Sequence, residues 1–251
     1  MNKNGKIEIK KYGVTDSTQL RAKELLSRGE NTIVSAVRQS GGMGTKGRSF
    51  SAEKGGVYLS TLFFYRGFSA ENAFLIMAGA CAAVCKTLEE GGLTPKIKWP
   101  NDVFVGGKKI CGILTENVFS AAKDGKCDVA SVCGVGLNVN NELPEALLEI
   151  ATSVCVQKGK RERVKAWRKR LIAQLIDVYF AIEKGCEKER KEVFEAYKKY
   201  FGFVGENVLI STEDGQHIAR VLGVDRHGML IAKSGGAERK YAVGEVIKLS
   251  V

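Results

Sequence analysis

An apolar helix predicted between Ser69 and Glu90 is the feature that most restricts how this chain can fold. Ser69 is the expected N-cap. The apolar side chains that follow cover most of the helix circumference, namely Phe74, Leu75, Met77, Ala78, Cys81, Val84, Cys85 and Leu88. A helix that is apolar on nearly every side has to be buried, and a sheet is the partner that the flanking strand patterns offer.

Short strands are predicted on both sides of this helix. Residues 6–11 alternate as a strand, a Ser-Thr cap then begins a helix that ends at Gly29, and further apolar strands are expected at residues 32–37, 57–64 and 127–139. Residues from about 142 to 200 are expected to be helical. The pattern predicts an α+β fold, in which a mixed β-sheet is flanked by helices.

The pattern changes after Phe201, where five short strand-like runs follow one another closely. Glycine turns separate them, and Asp214-Gly215 is the strongest of these turn signals. A segment of this length, with strands so closely spaced, is typical of a small β-barrel. We therefore expect two domains, residues 1–201 and residues 202–251.

Composition narrows the class of protein. Seven cysteines without paired short spacings and only two histidines argue against zinc and favour reduced core thiols. The first residues contain no apolar signal core, so we expect a soluble, cytoplasmic protein with no membrane partner. The formal net charge of +11 allows nucleic acid or an acidic partner. However, much of the excess lies in residues 158–170 and 188–199, where helical spacing favours a solvated helix face.

A hairpin between Lys98 and Glu116 concentrates charged groups. It contains Lys98-Trp99-Pro100-Asn101-Asp102, a Gly106-Gly107 turn, and Lys109-Ile110-Cys111-Gly112-Ile113-Leu114-Thr115-Glu116. Asp102 and Lys109 stand at either end of a short apolar run, an arrangement suited to a site that handles a carboxylate and a phosphate. The alternative is an ordinary solvated turn, since Pro-Asn-Asp is common turn chemistry.

A glycine-rich loop runs from Gln39 to Ser49. Gly42 to Gly47 matches the dinucleotide pattern G-x-G-x-x-G, but a strand follows it, whereas that fingerprint requires a helix whose N-terminus holds the pyrophosphate. The Rossmann interpretation is therefore rejected. Backbone N–H groups freed by the glycines, together with Lys46 and Arg48, could hold phosphate. The alternative is a mobile surface loop.

These segments together resemble biotin–protein ligases, in the form that lacks an N-terminal DNA-binding domain. The resemblance rests on their order and spacing, from Asp16-Ser17-Thr18 through the glycine loop and the hairpin to Gly134-Val135-Gly136-Leu137-Asn138. It implies a catalytic domain like that of class II aminoacyl-tRNA synthetases and an SH3-like C-terminal domain. Fewer than twenty residues precede Ser17, which is too few for a helix-turn-helix module, so no DNA binding is expected.

The resemblance also implies a reaction and a set of site residues. The family activates biotin with ATP and Mg²⁺ to biotinyl-5′-AMP, and then transfers biotin to a lysine of a biotin carboxyl carrier protein domain. The implied catalytic residues are Lys109, Arg48 and Asp102, with Asp102 orienting or deprotonating the incoming lysine. The implied biotin-binding residues are Ser17, Thr18, Gln39, Gly41, Gly42, Lys109, Trp99, Gly112, Leu114, Gly134 and Gly136. The implied ATP-binding residues are Lys46, Gly47, Arg48, Lys98, Asn101 and Asn138.

The glycine loop departs from the family pattern at two positions. Family loops often carry further arginines where this chain has Met43 and Thr45. Lys46 and Arg48 keep the positive charge, so the phosphate role would fall on them, and a looser hold on the adenylate is expected.

Two other functions compete with biotin ligation. A lipoate or octanoate ligase or transferase shares the fold and chemistry, but would need a longer apolar tunnel than the polar set Ser17, Thr18 and Gln39 favours. A nucleic-acid-binding protein would explain the net charge but neither the hairpin nor the glycine loop. The sequence leaves open whether the protein is a monomer or a homodimer.

Overall fold

A seven-stranded mixed β-sheet forms the centre of the larger part of the molecule. The computed structural model describes residues 7–121, 126–243, 245, 246 and 248–250, with the backbone alone for Lys46 and 248–250. The strands follow the order β1-β2-β3-β7-β6-β5-β4, and β1 and β2 are the parallel pair. Their bounds are β1 Glu8–Thr15, β2 Thr32–Gln39, β3 Val57–Phe68, β4 Pro95–Lys98, β5 Asp102–Val105, β6 Lys108–Phe119 and β7 Cys127–Leu137.

Helices cover the two faces of this sheet unequally. Short α1 packs on β2, β3 and β7 on one face, whereas α2, α4 and α5 pack on one another and on the opposite face. The expected mixed sheet flanked by helices is therefore confirmed. The helix bounds are α1 Thr18–Lys23, α2 Phe74–Glu90, α3 Val154–Lys158, α4 Val164–Glu183 and α5 Glu187–Tyr200.

Helix α2 is the buried helix that its composition predicts. Most of its side chains are buried, because α4 and α5 lie on it from one side and β4 to β7 from the other. By length and apolar composition Ala70–Glu90 could cross a membrane, but 72% of that apolar segment is buried inside the protein. This burial identifies α2 as a core helix.

Several predicted boundaries differ from the structure. Ser69 precedes a 3-10 turn, Ala70–Asn72, and makes no side-chain capping bond, so α2 begins at Phe74. Residues 142–153 are not helical apart from the 3-10 turn Glu145–Leu147. Gly29 ends a 3-10 turn in the left-handed conformation rather than ending α1 itself. The Asp124-Gly125 pair in the sequence also predicts a turn before β7, and this pair lies outside the described residues.

Alternation along the central strands separates the two faces chemically. On β3 and β7, odd-numbered residues such as Leu59, Phe63 and Val135 belong to the core shared with α2 and α4. Even-numbered Leu62 and Val132 belong to a smaller core under α1. Because successive side chains of a strand point to opposite faces, the remaining even positions are left for the face that carries α1.

The C-terminal segment forms a five-stranded antiparallel sheet with the order β11-β10-β9-β8-β12. The second small β module is thus present. The division at residues 201 and 202 stays a prediction, since the core continues across it. The strand bounds are β8 Asn207–Thr212, β9 Gly215–Val224, β10 Leu230–Ser234, β11 Ala237–Tyr241 and β12 Lys248–Ser250.

Trp99 joins this small sheet to the larger one. Its indole ring is buried, and its N–H donates to the Gly228 carbonyl at 3.0 Å. Gly228 has φ +83° and lies against the Phe74 ring, where a Cβ would be 2.2 Å from a ring carbon. The N–H of Gly202 also donates to the Ile97 carbonyl at 3.1 Å. The two sheets are therefore in direct contact near the start of α2.

Replacing Trp99 with Phe is expected to lower the free energy of unfolding by about 1–3 kcal/mol, because the buried Gly228 carbonyl loses its donor. Trp167→Phe is the matched control. The Trp167 indole N–H lies 3.4 Å from the Glu162 carboxylate, and water can replace this N–H as the partner of the carboxylate. Urea unfolding of both variants checks this. Equal losses for both would contradict the proposed role of Trp99.

Candidate functional site

A pocket opens on the face of the large sheet that carries α1. Its walls come from the start of α1, the end of β2, the loop after β2, and strands β3, β5, β6 and β7. With its open mouth included, the space between these walls is about 500 Å³. It lies where the even positions of the strands are neither covered by α1 nor filled by large side chains.

Glycines form the floor of this pocket. Gly136 pairs across the sheet with Gly112, and Gly112 pairs with Asp102, while Gly134 pairs with Ser60 on its other side. A Cβ on Gly136 would lie 2.5 Å from the Phe50 ring, and one on Gly134 would lie 2.6 Å from Gln19 Oε1. The missing side chains therefore let groups from the loop and from α1 reach the backbone of the sheet.

An ion pair stands at one end of the floor. Lys109 Nζ lies 2.7 Å from Asp102 Oδ1, and each side chain keeps about a third of its surface exposed, 34% and 31% respectively. Asn101, beside Asp102, donates its side-chain amide N–H to the Ile113 carbonyl, and its backbone carbonyl accepts the Ile113 N–H. The hairpin thus holds a cation and a carboxylate together where the pocket can reach both.

Hydroxyl and amide groups form the opposite end. Ser17 is the N-cap of α1 and accepts the Gln19 N–H at 3.2 Å. The Thr18 N–H donates to Gln39 Oε1 at 2.6 Å, and the Thr18 hydroxyl lies 2.9 Å from the same oxygen. Ser60 Oγ lies 2.9 Å from Thr18 Oγ1. The pocket therefore joins a polar recognition end to a charged end across a backbone floor.

The glycine loop closes over the floor as a small hairpin. Met43 pairs with Ser49, the Gly44 N–H donates to the Arg48 carbonyl at 2.7 Å, and the Phe50 N–H donates to the Gly42 carbonyl at 2.9 Å. Gly42 requires glycine, because a Cβ there would meet the Phe50 carbonyl oxygen at 2.3 Å. These bonds set Phe50 over Gly136.

Most residues expected at the site line this pocket. The structure brings together residues from segments far apart in the chain, namely Ser17, Thr18, Gln39, Asn101, Asp102, Lys109, Gly112, Leu114, Gly134 and Gly136. Lys109 and Gln39 share the cavity, as the site implied by the resemblance to biotin–protein ligases requires.

Other expected residues lie outside its walls. Trp99 is turned into the core, and Asn138 is buried behind β6, where its amide donates to the Thr152 carbonyl at 3.1 Å. Lys98 Nζ lies 5.4 Å from the centre of the Phe104 ring. Exposed Arg48 contacts Thr45, itself a wall residue, through its guanidinium at 3.3 Å.

The loop glycines expected at the site are also beside the cavity rather than in its walls. Gly41 donates its N–H to the Asp16 carbonyl at 2.8 Å, and Gly42 contacts the Phe50 backbone. Gly47 is exposed with φ +71°. Lys46 belongs to the 3-10 turn Thr45–Gly47, and its side chain lies outside the described part of the structure.

Several wall residues were not anticipated, and three of them shape the site. Ser60 is a small polar residue within an apolar strand, Gln19 follows the Ser-Thr cap, and Phe50 follows the glycine loop. The polar pair Ser60-Thr61 within the apolar run 57–64 was the available signal. Gln19 and Phe50 gave none, because only the tertiary fold carries them over Gly134 and Gly136.

Cysteines near the floor are core residues. Burial raises the pKa of the Cys133 thiol to about 11, and burial likewise raises the pKa of Cys111. Thiols with raised pKa values are poor nucleophiles at neutral pH. All seven cysteines are free, and most of them are buried, which agrees with the expected reduced thiols.

Comparison with known proteins gives the family. The family described as "Biotin/lipoate A/B protein ligase family" matches residues 13–138. The bifunctional ligase/repressor BirA of Bacillus subtilis is 30% identical over 245 residues, which cover 94% of this chain and 72% of that protein. Biotin–protein ligase 2 of Arabidopsis thaliana is 28% identical over 63% of this chain and 48% of its own length.

Solved structures agree with the sequence comparison. Biotin protein ligase from Aquifex aeolicus, solved in complex with biotin and ATP, superposes with a TM-score of 0.77 at 27% identity, covering 96% of this chain and 98% of that one. The Leishmania major enzyme, at 18% identity and a TM-score of 0.56, shares the fold. The chain therefore belongs to the biotin/lipoate A/B protein ligase family, as an enzyme of the biotin protein ligase type.

Gly134→Ala is expected to lower the free energy of unfolding by about 1–3 kcal/mol, because the new methyl group displaces the buried Gln19 amide from its hydrogen bonds. Gly13→Ala is the control, since a Cβ at Gly13 has no heavy atom within 4 Å. Thermal and urea unfolding measure both. Equal stability of the two variants would contradict the tight approach of Gln19 to β7.

Proposed function

We propose that this chain is an ATP-dependent biotin–protein ligase. It joins the biotin carboxylate to ATP as biotinyl-5′-AMP and then transfers biotin to a lysine of a biotin carboxyl carrier domain. The observation that carries the proposal is the position of the Lys109–Asp102 pair, across a glycine floor from Gln39 and Thr18. A molecule with a polar ring at one end and a carboxylate at the other matches that layout.

The polar end of the pocket suits the ureido ring of biotin. A ring urea carries two N–H donors and one carbonyl acceptor, and the Thr18 hydroxyl and the Gln39 amide supply both kinds of partner. Thr18 and Ser60 are almost fully buried, so bonds to them form in a site from which water is largely excluded. The glycine floor lets the flat bicycle lie close to the sheet backbone.

Lys109 is placed to lower the charge barrier of the first step. There, a biotin carboxylate oxygen bonds to the α-phosphorus of ATP, the bond between the α- and β-phosphates breaks, and pyrophosphate leaves. Two anions must approach each other, so a fixed cation beside them lowers the energy of the transition state. Asp102 holds the Lys109 ammonium in position until the substrate carboxylate takes its place as a partner.

The glycine loop and the hairpin supply the proposed nucleotide contacts. Arg48 and Lys46 follow the wall residues Met43, Gly44 and Thr45 in the chain, and a modest movement of this glycine-containing loop would bring their charges to the phosphates. Gly47, Asn101, Lys98 and Asn138 remain the other proposed ATP-side residues. Of these, Asn101 already lines the pocket.

Mg²⁺ is proposed to enter with the nucleotide. In the described part of the chain no group of three or more His, Cys, Asp or Glu side chains could hold a metal ion. That fits an ion whose ligands are mostly phosphate oxygens and water. Asp102 is the carboxylate in the pocket wall that would be available to such an ion. Bound Mg²⁺ would neutralise phosphate charge.

Asp102 is proposed to act again in the second step. The acceptor lysine amine attacks the carbonyl carbon of the adenylate, an amide bond forms, and AMP leaves. The attacking amine must lose a proton, and Asp102 is a carboxylate at the mouth of the pocket, with 31% of its side chain exposed. We also propose that the acceptor is a biotin carboxyl carrier domain and that the protein acts in the cytoplasm, as a monomer or a homodimer.

Incubation with ATP labelled in its adenine, biotin and a generic biotin carrier domain tests the function. Label is expected first in an adenylate, and biotin is then expected on the carrier lysine by mass spectrometry. In the same assay Lys109→Gln should slow adenylate formation about 100-fold or more. Lys108→Gln is the matched control, because Lys108 Nζ bonds the Leu148 carbonyl at 2.7 Å. Adenylation with lipoate but not biotin would instead favour a lipoate ligase.

Asp102→Asn should slow transfer from preformed biotinyl-5′-AMP by about 100-fold, a typical loss for a general base. Adenylate formation should fall less, because Lys109 remains. Single-turnover transfer from purified adenylate, followed beside pyrophosphate release, separates the two steps. If the variant slowed adenylate formation and left transfer untouched, the role of Asp102 as a base would be wrong.

A further inference from the structure

Gln19 lies behind the residues that form the polar end of the pocket. It is 3% exposed, and its amide reaches across the sheet face over Gly134. Its Nε2 lies 2.8 Å from Glu116 Oε2 and 3.1 Å from the Val132 carbonyl, while its Oε1 lies 3.1 Å from Ser60 Oγ. A buried glutamine with each end engaged is a connecting element between Glu116 and the pocket.

Glu116 fixes which way the Gln19 amide points. Burial alone would raise the pKa of Glu116, but hydrogen bonds from Lys23 and Gln19 lower it below its ordinary value. Lys23 Nζ lies 2.7 Å from Glu116 Oε1. An ionised carboxylate only accepts hydrogen bonds, as does the Val132 carbonyl. The amide nitrogen therefore faces Glu116, and the amide oxygen faces Ser60.

The oriented Gln19 amide oxygen then decides which neighbouring oxygen receives the Ser60 hydroxyl proton. Ser60 has one proton and two neighbouring oxygens, Gln19 Oε1 at 3.1 Å and Thr18 Oγ1 at 2.9 Å. In the described part of the chain Ser60 and no other donor reaches Gln19 Oε1, whereas Gln39 Oε1 accepts both the Thr18 N–H at 2.6 Å and the Thr18 hydroxyl at 2.9 Å. The arrangement that satisfies every buried group therefore has Ser60 donating to Gln19 and Thr18 donating to Gln39.

We propose that Gln19, oriented by Glu116, is a specificity-determining residue. It takes the Ser60 proton, so that Thr18 Oγ1, whose own proton goes to Gln39, is left free to accept a hydrogen bond from a ligand N–H. With the Gln19 amide turned over, Ser60 would donate to Thr18 Oγ1 instead and compete with that N–H for the hydroxyl oxygen. The inference rests on the proposed function, because it assigns this N–H to the ureido ring of biotin.

The inference concerns the chemical class of ligand. A ring with an N–H at this position gains a bond in a buried site, while a ring with a methyl group or a sulfur atom there leaves that acceptor position of the Thr18 oxygen unfilled. Discrimination against such analogues, including lipoate with its dithiolane ring, would come in part from Gln19. Since Gln19 works through Ser60 and Thr18, it is a positioning residue and not a catalytic one.

Calorimetric titration without ATP tests this, using biotin and the two biotin analogues methylated on one or the other ureido nitrogen. The wild-type protein should bind biotin at least about tenfold more tightly than the analogue whose methyl replaces the N–H at Thr18. Gln19→Met keeps the length of the side chain and removes the amide. It should weaken biotin about tenfold and change the affinity for that analogue less than twofold.

The ratio of the affinity for biotin to the affinity for the analogue methylated at the Thr18 position separates positioning from a general structural role. A distorted pocket would weaken the binding of both ligands alike. Glu116→Gln lets the Gln19 amide turn over and should lower the ratio about threefold. If Gln19→Met does not fold, this variant tests the positioning role of Gln19. Gln174→Met is the matched control. Gln174 also bonds a carboxylate, Glu90 at 3.0 Å, but on the opposite side of the sheet, and the ratio should not change.

An unchanged ratio in Gln19→Met or in Glu116→Gln, with biotin bound tightly by the wild-type protein, would overturn the inference and leave the proposed function standing. Failure of the wild-type protein to bind biotin at all would overturn both.

Discussion

The burial of an apolar helix, α2, against one face of the mixed sheet is the constraint on which the rest of the structure depends. Odd-numbered side chains of β3 and β7 are committed to that core. Because strand side chains alternate, the same commitment leaves the even positions for the other face. Short α1 covers only part of that face. The pocket occupies the part that remains, so the packing of one face locates the chemistry on the other.

The pocket itself depends on the close approach of side chains to backbone. Gly134 admits the Gln19 amide, and Gly136 admits the Phe50 ring, at distances that a Cβ would prevent. A buried amide is tolerated there because the carbonyl of Val132 and the carboxylate of Glu116 accept its N–H groups. Gly134 and Gly136 therefore matter because they leave room for these groups, and this room lets Gln19 reach its hydrogen-bond partners behind the pocket.

The charge of the molecule is not concentrated at this pocket. The basic runs on α4 and α5 lie on the helical layer, on the opposite side of the sheet. There, Arg170 pairs with Glu90 at 3.5 Å and Lys199 with Glu89 at 3.2 Å. Such exposed pairs contribute little to stability. What distinguishes the pocket is one cation and one carboxylate, Lys109 and Asp102, held where two substrates can meet.

The sequence by itself determined the classes of element and the local chemistry. The apolar circumference of residues 74–88 required a buried helix, and the close strands after Phe201 required a second small sheet. The spacing of Asp102 and Lys109 around an apolar run put both on one hairpin. These results depend on neighbours in the chain, which periodicity and turn residues report directly. That is why the mixed sheet could be predicted from the chain itself, whereas most of the expected pocket residues were implied by the resemblance to biotin–protein ligases.

Only the tertiary structure decided which residues share the cavity. Trp99 and Asn138 lie within or beside segments that do line it, yet strand alternation and core packing turn both away. Gln19, Phe50 and Ser60 come from three separate elements and meet over glycines of β7. Strand register and the crossing of α1 over the sheet create these contacts. Both are set by long-range pairing, about which a local pattern of residues carries no information.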